Sequence, residues 1–273
     1  MTVSVVTDSA AALPPEVVAE HGIRVVPLWL HIGDQRYRDG ELDLGELVER
    51  FDEPITTAAP SPGEFLRTMS EARRAGPVVV LTVAGHISTT FDAAVLAAKE
   101  LDEQVLVVDT DTAAGAQGLV VLAAASAAAE GVDAERVVAV ARQVSERVRL
   151  VATVADLERL ARSGRVPEAA RWVGDRLGVR PLFEFRSGRA RPLRPAFSRE
   201  AALDRIVQRC AQDDGTGPLH VAVQHALDPA AAEVLARRVA PLNPVSSIMG
   251  SFSPVMVAHT GRGLAGLAWW REP

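Results

Sequence analysis

Val255-Met256-Val257-Ala258-His259-Thr260-Gly261-Arg262-Gly263-Leu264-Ala265-Gly266 sets an apolar run, a histidine and a glycine-rich loop in immediate succession. Its last six residues spell the dinucleotide fingerprint, whose glycines let a helix N-terminus approach a pyrophosphate. That fingerprint also needs a following helix, a second strand and an acidic residue ~20 positions on, and only seven residues follow Gly266. A dinucleotide-binding fold is therefore set aside. What remains is a tight loop, expected to present His259 at the end of a buried strand over residues 255–258, a place suited to a small polar group.

Outward from that stretch, short apolar β-branched runs at residues 3–6, 23–30, 78–83 and 105–108 alternate with helical patterns, which predicts an α/β fold. Helix starts are marked by Ser61-Pro62-Gly63-Glu64, a capping box with proline at the first helical position, and by Asp133 and Asp228-Pro229 as further N-caps. Near residue 150 the pattern changes to a strand at 150–154, a helix closing at Gly164, another from Pro167 to Gly178, and a hairpin 179–185/190–196 turned at Arg186-Ser187-Gly188-Arg189. The reading is a two-domain α/β protein: an N-terminal parallel-sheet domain over 1–150 and a C-terminal α/β domain with a mixed sheet over 151–273. The alanine-rich stretch 123–129 reads as a closely packed helix.

Composition narrows the function classes. The chain has 273 residues, 48% of them hydrophobic, and no apolar run of membrane-span length, so a folded protein without a transmembrane segment is expected. Residues 1–6 enter a strand with no basic stretch before it, so no signal peptide is expected and a cytoplasmic location follows. Cys210 is the only cysteine, in an apolar helical setting beside Ile206 and Val207, which reads as a buried inert thiol. Lys99, the only lysine, lies far from any P-loop pattern. The six histidines form no His-x-x-x-His pair, so no metal is expected. Net charge is −6 but uneven: residues 1–150 carry 12 basic and 23 acidic groups, residues 151–273 carry 17 and 12. Eleven arginines fall between Arg159 and Arg199, readable as a contact face for an acidic partner or phosphate and equally as a solvated face. The patch lacks interleaved aromatics, which argues against nucleic acid.

Four polar loops fall just beyond strand ends, where open α/β sheets form ligand crevices: Thr7-Asp8-Ser9, Thr56-Thr57, Ser88-Thr89-Thr90 and His259-Thr260. Each has an ordinary structural reading, with Asp8, Ser9 and Ser88 as helix N-caps, Thr57 as a strand-end residue and His259 as a core histidine. Taken together, hydroxyls at a helix N-terminus beside an imidazole make a receptor for a carboxylate, because every element donates a hydrogen bond or favours negative charge. The alternative is a serine hydrolase with Ser88 as nucleophile, His259 as base and Asp8 as orienter. The segment Gly85-His86-Ile87-Ser88 is a poor substitute for a nucleophile elbow.

In order and spacing, these pieces resemble the DegV family of bacterial fatty-acid-binding proteins over nearly the whole chain. The resemblance is carried by Thr7-Asp8-Ser9, by Thr57-Ala58-Ala59-Pro60-Ser61 where the family has Thr-Ser-Gln-Pro-Ser, and by Ile87-Ser88-Thr89-Thr90-Phe91 for Leu-Ser-Gly-Thr-Tyr. It continues in Ser163-Gly164-Arg165-Val166 for Gly-Gly-Arg-Ile and His259-Thr260-Gly261-Arg262-Gly263 for His-x-Gly-Pro-Gly. The resemblance implies a carrier, not an enzyme, that buries one long-chain fatty acid as ligand in a tunnel of a lipid-binding C-terminal domain and needs no other cofactor. Thr57, Ser88, Thr89 and His259 would hold the carboxylate, with Asp8, Ser9 and Thr260 supporting the loops. It further implies a partner, an ATP-dependent fatty acid kinase that converts the carboxylate to an acyl phosphate for phospholipid synthesis, with Arg165 at the kinase contact. Candidate tunnel residues are Leu177, Val179, Leu182, Phe183, Phe185, Ile206 and Ile248. Ala58, Ala59, Thr89 and Arg262 depart from the family pattern. A β-branched Thr89 tolerates positive φ poorly, so a left-handed residue there would strain the loop.

Overall fold

The structure, a computed structural model, describes residues 2–101, 104–155, 157–166 and 179–273. The expected helix from Pro167 to Gly178, with Leu177 in it, lies outside the described residues. The first part of the chain runs β1 (Ser4–Asp8), α1 (Pro15–Glu20), β2 (Arg24–Val26), β3 (Trp29–Ile32), β4 (Gln35–Arg38), α2 (Leu44–Glu49), β5 (Ile55–Ala58), α3 (Pro62–Ala72), β6 (Val78–Thr82), α4 (Thr90–Ala98) and β7 (Val105–Asp109). It continues through α5 (Ala114–Ala129), α6 (Ala134–Arg147), β8 (Arg149–Thr153), α7 (Leu157–Arg162), β9 (Arg180–Arg186), β10 (Arg189–Ala196), α8 (Arg199–Ala211) and β11 (Leu219–His225). The last elements are α9 (Pro229–Val239), β12 (Ser246–Ser251), α10 (Pro254–Thr260) and β13 (Ala265–Arg271).

The fold is α/β. Strands β2-β1-β6-β7 form a parallel sheet, and β10-β9-β8-β13-β11-β12 form a mixed one in which only β11 and β12 pair in parallel. β6 is buried along its whole length, and its residues alternate between two cores, as period-2 geometry demands. Val78 and Val80 face Phe65 and Met69 of α3, while Val79 and Leu81 face the alanine-rich α5. The second sheet divides likewise: Leu182, Val221, Leu267 and Trp269 meet α8 and α9, whereas Phe183, Phe185 and Trp270 turn toward α5 and α6. Helices α5 and α6 therefore form a layer shared by both sheets. Alanine suits that position because small side chains let two sheets close on one helix. Gly115 marks the closest approach. A Cβ there would lie 3.0 Å from both Ala222 Cβ and Gln224 Oε1, and its amide donates to that same Gln224 oxygen.

Three expectations change. The run 23–30 is not one strand, because Pro27 carries no amide hydrogen for a ladder and divides it into β2 and β3. β3 joins a separate antiparallel sheet, order β4-β3-β5. The run 255–258 is a helix, not a strand, so His259 is the penultimate residue of α10. A short apolar run is ambiguous by periodicity alone, and Pro254 at the first helical position decides it. The candidate tunnel residues also separate: Leu182 and Ile206 lie in the core beneath α8, on the opposite face of β9 from Phe183 and Phe185.

Candidate functional site

The order β2-β1-β6-β7 contains a topological switch: β1 leads to β2 on one side and pairs with β6 on the other, so the loops leaving their carboxyl ends diverge and open a crevice. Asp8 fixes that crevice. Its buried carboxylate accepts from the amides of Ala10 (3.0 Å) and Val83 (2.8 Å) and from Gln117 Nε2 (3.2 Å), tying the two strand ends and α5 together. Burial, partly offset by these donors, pushes its carboxyl up to about 6.

A cavity of about 490 Å³ lies above these strand ends. Thr57, Ser88, Thr89 and His259 all line it, together with Arg165, over an apolar floor that includes Leu28, Val83, Ile87 and Met256. Thr57 comes from β5 and His259 from α10, and the two side chains meet, Thr57 Oγ1 to His259 Nε2, at 2.9 Å across 202 residues of sequence. Ser88 stands before α4: its Oγ lies 2.7 Å from Thr90 Oγ1 and accepts from the Thr90 amide at 3.3 Å. Thr89 has φ −80°, so its replacement of glycine brings no left-handed strain. Ala58 and Ala59 line the same wall, whereas Arg262 is exposed.

Burial, with a smaller contribution from the Arg165 cation, holds the His259 imidazole down at about 4, so it is neutral at pH 7. Neutral imidazole offers one N–H donor and one acceptor. In the unfolded chain histidine protonates near pH 6.5. Between these values the unfolded state binds the extra proton, so this group's stabilising contribution is present above pH 6.5 and lost as pH falls toward 4. Asp8 acts oppositely: its folded state takes the proton first, and its contribution is lost as pH rises through about 6. Wild-type protein is expected to lose about 3 kcal/mol more stability than His259→Asn on acidification from pH 7 to pH 4. Urea unfolding across that range measures it, and parallel pH curves would remove His259 from the buried wall.

The three expected supporting residues stand behind the cavity. Asp8 joins the strand ends; Ser9 Oγ donates to Asp39 Oδ2 (2.6 Å) and accepts from the Leu28 amide (3.1 Å). Thr260 Oγ1 donates to the Met256 carbonyl (3.0 Å) at the end of α10. Sequence reasoning missed Asp39, whose other oxygen accepts from the Val255 amide at 2.9 Å, 216 residues away, and thereby seats the N-terminal turn of α10. It also missed Arg159, whose guanidinium stacks on Phe51 at 3.6 Å and donates to the carbonyls of Ala258 (3.4 Å) and Phe51 (3.2 Å). Neither residue carries a local pattern, because its partners are remote in sequence. A hydrolase relay is not assembled: Asp8 is engaged by Ala10, Val83 and Gln117, His259 Nε2 by Thr57, and Ser88 by Thr90. Among the described residues no helix is long and apolar enough to cross a membrane, and no cluster of His, Cys, Asp and Glu suits a metal ion.

The chain is similar to known proteins over its whole length. The family model described as "Uncharacterised protein, DegV family" matches residues 2–272. The chain is 34% identical to a DegV domain-containing protein of Streptomyces coelicolor, over 97% of each chain. Among solved structures it is similar to a DegV family protein from Thermus thermophilus, described by its fatty acid binding, with 29% identity, full coverage of both chains and a TM-score of 0.94. It is likewise similar to DegV of Bacillus subtilis, described as a fatty acid binding protein, with 28% identity, full coverage of both chains and a TM-score of 0.88. With its length matched end to end by family model and relatives alike, the chain belongs to the DegV family.

Proposed function

We propose that this protein binds a long-chain fatty acid, holds its carboxylate among Thr57, Ser88, Thr89 and His259, and presents it to a separate ATP-dependent fatty acid kinase that forms an acyl phosphate for phospholipid synthesis. The observation that carries the reading is the convergence of the Thr57–His259 pair and Ser88 on one cavity with an apolar floor. The similar Thermus and Bacillus proteins, described as binding fatty acids, support it. Hydroxyls, a neutral imidazole and the N-terminus of α4 satisfy a carboxylate without supplying a permanent counter-charge, and leaving that group buried and unpaired would cost several kcal/mol. Ile87 and Met256 of the cavity pack against the central core that holds Val166, Phe183 and Phe185, and this apolar side is where the tail would lie. Burying about sixteen carbons at roughly 0.8 kcal/mol per methylene contributes on the order of 10 kcal/mol, enough to retain a poorly soluble ligand without covalent chemistry.

Native mass spectrometry of the purified protein, followed by denaturation and lipid extraction, tests the reading. A single co-purifying fatty acid is expected; an empty protein that also ignores added palmitate would overturn it. Because Ser88 pairs with Thr90 and, among the described residues, no imidazole or carboxylate is hydrogen-bonded to it, nitrophenyl esters should show no turnover that Ser88→Ala abolishes. Such turnover would restore the hydrolase alternative.

A further inference from the structure

Asp39 stands behind the cavity, outside its lining, and is bonded to three segments that carry lining residues. Its Oδ2 accepts from Ser9 Oγ at 2.6 Å, next to Ala10 of the lining, and its Oδ1 accepts from the Val255 amide at 2.9 Å, next to Met256. Its own amide donates to the Leu28 carbonyl at 2.8 Å, and the Leu28 amide donates to the same Ser9 Oγ at 3.1 Å. Leu28 immediately precedes β3, whose Leu30 is in register with Thr57 of β5, and Val255 belongs to α10, which ends one residue after His259. The two elements whose side chains meet in the cavity as Thr57 and His259 are therefore joined again behind it, at one carboxylate. We propose that Asp39 is a positioning residue for the ligand's head group: it sets the spacing of Thr57 and His259, and through it the preference for a carboxylate over an uncharged head. This rests on the carrier reading above.

The joint suits an ionised carboxyl. A hydroxyl and an amide both donate to it, and a carboxylate accepts through two oxygens where an asparagine would accept through one and turn N–H groups toward the other donor. Hydrogen bonds to a charged acceptor are also shorter and stronger than neutral ones. Ser253, at the N-cap position of α10, makes no capping bond with its own side chain, so Asp39 supplies the acceptor for the first turn from 216 residues away. With seven residues, α10 is too short to fix its own direction and depends on such tethers. Burial raises the Asp39 carboxyl above its usual range against the pull of the Ser9 and Val255 donors, a cost that a residue placed only to fill space would not carry. The tolerance at the cavity is small. Thr57 Oγ1 and His259 Nε2 are 2.9 Å apart, and hydrogen bonds of this kind are lost by about 3.5 Å, so a sub-ångström shift of α10 against β3 misdirects the imidazole.

The test titrates delipidated wild-type protein, Asp39→Asn, His259→Phe and the double variant with palmitate and with hexadecanol. Asp39→Asn is expected to weaken palmitate roughly tenfold and hexadecanol by less than about threefold. In the His259→Phe background the same change should alter palmitate by less than about threefold, because no imidazole remains to be misplaced. A residue that only stabilised the fold would leave the ratio of acid to alcohol affinity unchanged, and its effect would not depend on His259. Equal weakening of acid and alcohol, an undiminished loss in the double variant, or unaltered palmitate binding in Asp39→Asn would each overturn the proposal. If Asp39→Asn does not fold, Ser9→Ala, which removes the β1 side of the joint and keeps the Val255 bond, is read by the same criteria. Failure of palmitate to bind wild-type protein strikes the carrier reading instead, so the two failures are distinguishable.

Discussion

Replacing His259 by phenylalanine is expected to lower palmitate affinity by about 100- to 1,000-fold while changing the affinity for hexadecanol only a few-fold. The imidazole meets Thr57 at 2.9 Å on the cavity wall, and burial keeps it neutral, so what it can offer an anionic ligand is a directed hydrogen bond rather than a charge. A hydrogen bond to a charged group contributes ~1.5–3 kcal/mol, and leaving one carboxylate oxygen buried without a donor adds ~1–3 kcal/mol. Phenylalanine preserves ring volume, which isolates the polar term. Thr57→Val, which keeps the shape of the β5 side chain, should cost roughly tenfold for palmitate, and the double variant should cost less than the product because the residues are in direct contact. Direct titration of delipidated protein with both lipids is the check. Equal losses for acid and alcohol would mean that His259 only shapes the cavity, and unaltered palmitate binding would place the carboxylate elsewhere.

The same pair shows what was legible in the sequence. Periodicity located β1, β6 and β7 to within two residues, and cap chemistry identified α3, where the reciprocal Ser61–Glu64 capping box is formed. The Ser187-Gly188 turn of the β9–β10 hairpin was legible too: both residues have positive φ, the twist that joins two strands through two residues. These features are encoded within a few positions of chain. The β4-β3-β5 sheet was not legible, because Gln35-Arg36-Tyr37-Arg38 has no apolar alternation and pairs only because β3 supplies the buried Leu30 and Ile32. The strand reading at 255–258 failed for a related reason, since four apolar residues suit either element until Pro254 and the Asp39 carboxylate select a helix. The residues that line the cavity were legible as polar interruptions after apolar runs. Their supports were not: Asp39 and Gln224, whose amide joins Ala12 and Gly115 to the second sheet, act across more than 100 residues and leave no local trace.

Arg165→Ala is expected to reduce kinase-dependent acyl phosphate formation by roughly 100- to 1,000-fold, the scale of removing one preorganised donor aimed at charge that develops in the transition state. Palmitate affinity should change by less than about threefold, because burial of the tail dominates it. The side chain is exposed, follows α7 and lines the same cavity as Thr57 and His259, so a carboxylate held there would lie within its reach although it is not part of the packed core. Arg165→Lys should recover only part of the rate: an ammonium supplies the charge but not the planar fork that matches phosphate oxygens. A second readout separates this role from a structural one. The Arg165 cation is one of the two causes that hold the His259 imidazole low, so removing it should raise the proton affinity of His259 while burial still keeps it below that of free histidine. An NMR titration of His259 and a phosphorylation assay on the same variant decide the matter. A raised His259 titration with normal phosphorylation would return Arg165 to a purely electrostatic neighbour, and lost palmitate binding in a folded protein would place it among the carboxylate ligands.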